Sequence, residues 1–252
     1  MRKTLLLFIL STPITLFGQS LNTSDFTEEI KQFDYSSVLT TDSIWDRYDH
    51  IRRSEPVGYF GSNFQRINTK LISVIKNSLN PLEYFVYGKT RLLGNVAEFQ
   101  GTITISSSSV YDESDFDNYK QGFVVAKYVF YEDQKNPKTG MFEGTLKSDF
   151  VINENDELSY DALIFGGDGY RNNQFEGTWS SYSNSKSYTC NWGDYRIPDS
   201  GDLDIGTGEM AIDEKYWDRG WKSWEMSKGY GMNATQAEID AARKQEKEQW
   251  WK

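Results

Sequence analysis

The densest group of side chains able to do chemistry lies between Asp168 and Glu209. It combines Asp168, Arg171, Asn172, Asn173, Asp194 and Arg196 with the indoles of Trp179 and Trp192. An indole face can cover the apolar C–H face of a sugar while carboxylates, amides and guanidinium groups take its hydroxyls. The same residues suit a structural role, because Asn and Asp form turns and Trp fills cores. The sequence leaves both readings open. The run from Asp168 to Asn173 reads as a turn, and Phe175 to Trp179 as a strand entering a core. The link from Asn184 to Ser187 is short and polar, and such links join antiparallel neighbours. Asp194 and Arg196 are therefore expected to return close to Arg171 and Asn173.

Other chemistries find less support. Asp202 and Asp204 offer two carboxylates for calcium, but an EF-hand loop begun at Asp202 places Thr207 where glycine is required and Asp213 at the closing glutamate. The chain holds one His and one Cys, a poor supply for zinc. Glu143 and Glu176 occupy equivalent positions in a repeat. Paired carboxylates can cleave glycosidic bonds, but only at set separations; outward, solvated glutamates are the plainer expectation. His50 has Asp49 beside it and no serine or cysteine elbow to serve. Cys190 reads as a small packed residue. No phosphate loop or dinucleotide fingerprint occurs, and no cofactor is expected. Trp217, Trp221 and Trp224 have helical spacing and read as a lid over a barrel end, or as an exposed sugar or partner platform, with Gly220 interrupting the helix.

A repeat identifies the elements that must position these groups. Phe99–Ile103 reads FQGTI, Phe142–Leu146 reads FEGTL, and Phe175–Trp179 reads FEGTW. In an extended chain Phe and Gly share one face, and Thr shares the other with Glu or Gln. Glycine inside a strand signals a bend or a close backbone approach, as barrel closure demands. Around the repeat, β-rich runs alternate with Gly, Asn, Asp and Pro signals: 84–92, 96–105, 123–131, 141–152, 158–164, 173–182 and 188–197. Residues 65–76 are ambiguous in spacing, and their β-branched content favours a strand. The fold class is therefore mainly β, an antiparallel meander forming a barrel or strongly curved sheet. Short helices flank it, one over 24–33 and one beginning at a Thr235–Glu238 capping box.

The N-terminus carries Arg2 and Lys3, an apolar run from Leu5 to Leu10, and then Gly18, the order of a secretory signal peptide. The expected organisation is a signal peptide over 1–18, an irregular segment over 19–60, a β domain over 61–213, and an aromatic segment with a helix over 214–252. Export to the periplasm or the exterior follows. The apolar run is shorter than the about 20 residues of a membrane span, so no transmembrane span is expected in the mature form. The net charge is −10 before cleavage, and losing Arg2 and Lys3 makes it more negative. Such a chain repels phosphate, so nucleic acid is a poor partner.

Taken together, YFVYGK (Tyr84–Lys89), FQGTITI, NNQFEGTW and CNWGDYRIP (Cys190–Pro198) resemble secreted, functionally uncharacterised proteins of Bacteroidota type. The resemblance covers most of the chain after the signal, and it supplies no activity. A meander carrying Gly-Thr-Trp is also similar to the calycin, or lipocalin-like, barrels, although here the motif comes late rather than in the first strand. That likeness implies a cavity able to hold a ligand. The functional expectation is non-catalytic binding of a glycan or small molecule. The alternative is an interaction or inhibitor protein that engages another secreted protein through its aromatic C-terminal region. A glycosidase-like enzyme ranks last.

Overall fold

In the computed structural model, residues 22–229 and 233–252 are described; the signal peptide expected over 1–18 lies outside them. The chain begins with β1 (Thr23–Asp25), a 3-10 turn (Glu29–Gln32), α1 (Ser36–Thr40) and a small hairpin of β2 (Ser43–Trp45) and β3 (His50–Arg52). The main sheet follows: β4 (Val57–Phe60), β5 (Gln65–Lys76), β6 (Glu83–Leu92), β7 (Asn95–Tyr111), β8 (Lys120–Glu132), β9 (Gly140–Ile152), β10 (Leu158–Tyr160), β11 (Asn172–Ser181) and β12 (Ser187–Asp194). Two further 3-10 turns (Gly201–Leu203 and Glu214–Arg219), α2 (Lys222–Ser227) and α3 (Gln236–Glu246) complete it.

Eight strands hydrogen-bond in a closed antiparallel ring, in the order β4, β5, β6, β7, β8, β9, β11, β12 and back to β4. The ring is uneven. β7 and β8 pair along most of their length, whereas β4 closes the seam with a short stretch from Val57 to Phe60. The β6–β7 hairpin turns through Leu93 (φ 51) and Gly94 (φ 82), with Leu92 opposite Asn95. Two successive positive φ values are what a twist-matched two-residue hairpin requires.

The repeat does what its alternation predicts. Phe99, Phe142 and Phe175 all point inward and are buried. Phe99 stacks on Phe130 at 4.8 Å, Phe175 stacks on Trp192 at 4.7 Å, and Tyr128 meets Phe175 and Trp192 edge-on. The glycines mark close approach. Gly144 lies opposite Gly177 in register, and a Cβ on either would collide with the carbonyl of Glu176 or Glu143 respectively. A Cβ at Gly101 would meet the Val129 carbonyl. The ring is drawn in at these points, and only glycine fits there.

The N-terminal segment closes one end of the ring. Ile30, Tyr35, Val38, Leu39 and Ile44 are buried in the same core as Tyr84 and Phe150. The Tyr35 hydroxyl donates to the Ser148 carbonyl at 3.0 Å, and the Tyr35 backbone N–H donates to the Tyr84 hydroxyl at 3.1 Å. Each fully buried large apolar side chain contributes about 1.5–3 kcal/mol, so this segment is a plug rather than a loose leader. The helix expected over 24–33 is reduced to the single 3-10 turn at Glu29–Gln32. The strand expected over 65–76 is present as β5.

The C-terminal region packs on the outer wall. Trp221 is fully buried in a second cluster with Val57, Tyr59, Leu203 and Ile212, and its indole N–H donates to the Phe64 carbonyl at 2.8 Å. The expected lid over a barrel end therefore lies against the side of β4, where the outward faces of Val57 and Tyr59 need cover. Gly220 (φ 91) ends the 3-10 turn that carries Trp217, and α2 carries Trp224. The Thr235–Glu238 capping box forms as expected. Arg66 binds Glu246 through two hydrogen bonds, of 2.9 and 2.6 Å, and fastens the end of α3 to β5. No helix among the described residues is long and apolar enough to cross a membrane.

Candidate functional site

The ring has two different ends, and the sequence-predicted residues divide between them. Asn172 and Asn173, expected in the turn, begin β11; Asn172 pairs with Asp194 in register, so the start of β11 and the end of β12 meet as expected. They meet at the plugged end. Asp194 is 1% exposed and accepts from the Tyr160 hydroxyl at 3.0 Å and from Asn173 Nδ2 at 2.8 Å. The Arg53 guanidinium stands 3.6 Å away, and it also donates to the Val38 and Leu39 carbonyls. Burial pushes the Asp194 carboxyl up, against the pull of Arg53, Asn173 and Tyr160. Asn173 accepts from Ser148, and Asn172 bridges the Asp149 backbone on both its N–H and its carbonyl. This network ties the plug to β9, β11 and β12.

The remaining predicted residues spread away from that network. Trp192 is in the ring's core, stacked on Phe175. Asp168 and Arg171 are exposed on the loop before β11. Arg196 donates to the Gly206 and Gly208 carbonyls at 2.8 and 2.9 Å and pairs with Asp204 at 3.0 Å, which knits the 204–208 loop. Asp204 also accepts from the Gly206 and Ala211 N–H groups, whereas Asp202 is engaged by Lys215 and Tyr216. The two carboxylates thus serve separate partners, and no group of three or more His, Cys, Asp or Glu among the described residues is placed to hold a metal. Glu143 and Glu176 are exposed on the outer face of their strands. Cys190 is fully buried, and burial pushes its thiol up, away from reactivity.

Trp179 lies at the opposite end, where the β4–β5, β6–β7, β8–β9 and β11–β12 turns surround an open mouth. Behind them is a cavity of about 1280 Å³. Phe60, Trp179 and Tyr188 make one wall, with ring centroids 5.1–6.1 Å apart. Thr90, Leu92 and Phe142 line the other sides. Glu132 is also in the lining and is only 7% exposed. One carboxylate oxygen accepts both the Trp179 indole N–H at 2.9 Å and the Gly140 backbone N–H at 2.8 Å. Burial raises the Glu132 carboxyl, while Trp179, Gly140 and Thr90 lower it through hydrogen bonds. Among the described residues no cation pairs with it.

The fold explains this placement. On β8 the inward positions are Val124, Ala126, Tyr128, Phe130 and then Glu132. The strand's period carries an acid to the last inward place, on the cavity wall at the mouth end. Glu132, Thr90, Phe60 and Tyr188 were not among the sequence-predicted residues. The available signal was a carboxylate in phase with an apolar alternation. No protein-family model matches the chain, and comparisons with curated proteins and with solved structures return no match.

Proposed function

We propose that this chain is an exported, non-catalytic binding protein that holds a small molecule or the end of a glycan in the open mouth of its strand ring. The observation that carries the reading is a buried carboxylate, Glu132, in the lining of an aromatic-walled cavity. Ligand sites are commonly concave and mostly apolar, with a few placed polar groups and volumes of about 300–1000 Å³. This cavity exceeds that range and so leaves room for a ligand of sugar-oligomer size. Export rests on the charged, apolar, then small-residue order of residues 1–18, and the lipocalin-like resemblance agrees with a mouth-binding ring.

The alternative, a protein partner engaged by the C-terminal aromatics, has less support. Trp221 is buried, and Trp250 and Trp251 pack near Arg91 and Lys70, so these rings already have partners within the chain. A glycosidase has less still, since Glu143 and Glu176 face away from the cavity.

The test is a titration of the mature chain with N-phenyl-1-naphthylamine, a neutral apolar dye, followed by displacement with a glycan panel. Ala97 lines the mouth opposite Thr90 in register, so Ala97→Trp projects an indole into it and narrows the entrance. Dye binding that survives Ala97→Trp unchanged refutes the mouth as the site.

A further inference from the structure

The chemistry of the cavity lining narrows what the mouth would hold. A carboxylate removed from water needs either a proton or a cation. Glu132 has three hydrogen-bond donors from the chain and no ion pair among the described residues. Two of those donors converge on one oxygen, and the group still lines the cavity. The other charged side chains in the lining are Glu98, Asp133 and Lys138. Glu98 is paired with Lys89 at 3.2 Å, and Lys138 is exposed on the β8–β9 turn. Acids therefore outnumber bases around the opening, on a chain of net charge −10. Clefts lined by one sign of charge concentrate the opposite sign. The wall of Phe60, Trp179 and Tyr188 adds π faces, which attract cations and cover apolar bodies.

We propose that the mouth selects ligands bearing a protonated amine, with the ammonium against Glu132 and an apolar or ring body against Phe60, Trp179 and Tyr188. This rests on the binding reading above. The ammonium supplies the counter-charge that the chain withholds. Its N–H groups donate to carboxylate lone pairs not taken by Trp179 and Gly140. An amino sugar and an arylalkylamine share this chemistry.

The experiment is calorimetry on the mature chain with four probes: 2-phenylethylammonium, neutral 2-phenylethanol, glucosamine and glucose. Each amine is expected to bind at least about tenfold more tightly than its neutral counterpart, as a charge-assisted hydrogen bond implies. Glu132→Gln should erase that preference. Ala97→Lys serves as a second variant on the partly exposed mouth wall, where folding is spared. Its ammonium would take the ligand's place beside Glu132, so each amine should lose its advantage over its neutral counterpart. Equal affinity for amine and neutral probes in the unaltered chain overturns amine selection and leaves the cavity reading intact. So does an amine preference retained in both folded variants. Failure of the dye and all four probes to bind overturns both.

Discussion

Replacing Asp194 by Ala asks whether the region richest in chemistry-bearing residues holds the fold together. The carboxylate is enclosed by Tyr160, Asn173 and Arg53, and Arg53 is itself only 6% exposed. Removing one member of a buried ion pair costs about 3–5 kcal/mol, because the other charge is left without compensation. Three features favour the lower end. The Arg53–Asp194 separation is 3.6 Å, and Arg53 keeps two carbonyl acceptors. Asp194 Oδ1 also has no hydrogen-bond partner, so part of its burial cost is recovered on removal. Against this, Tyr160 and Asn173 lose their acceptor, at about 1–3 kcal/mol for a buried group left unpaired. The expected loss is about 3 kcal/mol, or about 6–12 °C in Tm for a domain of this size. Asp194→Asn keeps an acceptor for Tyr160 but strips the charge, so it separates the two contributions. Arg53→Met with Asp194→Asn should lose about 1 kcal/mol or more less than the sum of the singles, read by denaturant melts. A loss below about 1 kcal/mol for Asp194→Ala, with ligand binding abolished, would refute the structural assignment and return the site to the plugged end.

Phe99→Ala, Phe142→Ala and Phe175→Ala should each cost about 3–5 kcal/mol in urea melts, and losses below about 1 kcal/mol at all three would break the shared-core account. Gly144→Ala should be strongly destabilising, because the Glu176 carbonyl occupies the space of the new Cβ; a neutral outcome in thermal melts contradicts the close approach. Asp149 titrates near pH 6 because burial, with Asp161 nearby, outweighs Lys147 and Arg171. A raised acid favours the folded state when protonated, so its contribution is full below about pH 4 and lost as pH rises through 6. Asp149→Asn should therefore gain about 1–3 kcal/mol on the unaltered chain between pH 4 and 7.5; parallel stability curves across that window exclude the assignment.

Period-two alternation made most of the ring legible. The strands expected at 84–92, 123–131, 141–152 and 173–182 differ from β6, β8, β9 and β11 by one to three residues at an end. The repeat also announced its own geometry, since Phe and Gly on one face became core and close approach. The run over 158–164 shrank to β10 because Asp161 turns inward to cap Leu163 N–H instead of continuing the ladder. β4 was missed because four residues give too little periodicity to read. Ring closure is long-range, and nothing local in Val57–Phe60 declares that it pairs with both β5 and β12. The candidate residues were grouped by sequence density, and register does bring Asn172, Asn173 and Asp194 together. Strand length separates them from Trp179, since β11 runs from the plugged end to the open mouth. Glu132 escaped notice because it sits at a strand terminus beside Asp133, where acids are usually solvated.

The most direct test of mouth binding is the indole N–H spectrum of the ¹⁵N-labelled chain of residues 19–252 during titration with glucosamine and 2-phenylethylammonium. The Trp179 indole N–H donates to Glu132, whereas the Trp221 indole N–H is bound to the Phe64 carbonyl on the outer wall. Ligand entering the mouth should shift the Trp179 resonance, assigned through Trp179→Phe, and leave the Trp221 resonance in place. A saturating shift in other tryptophans with the Trp179 resonance unmoved would contradict the account.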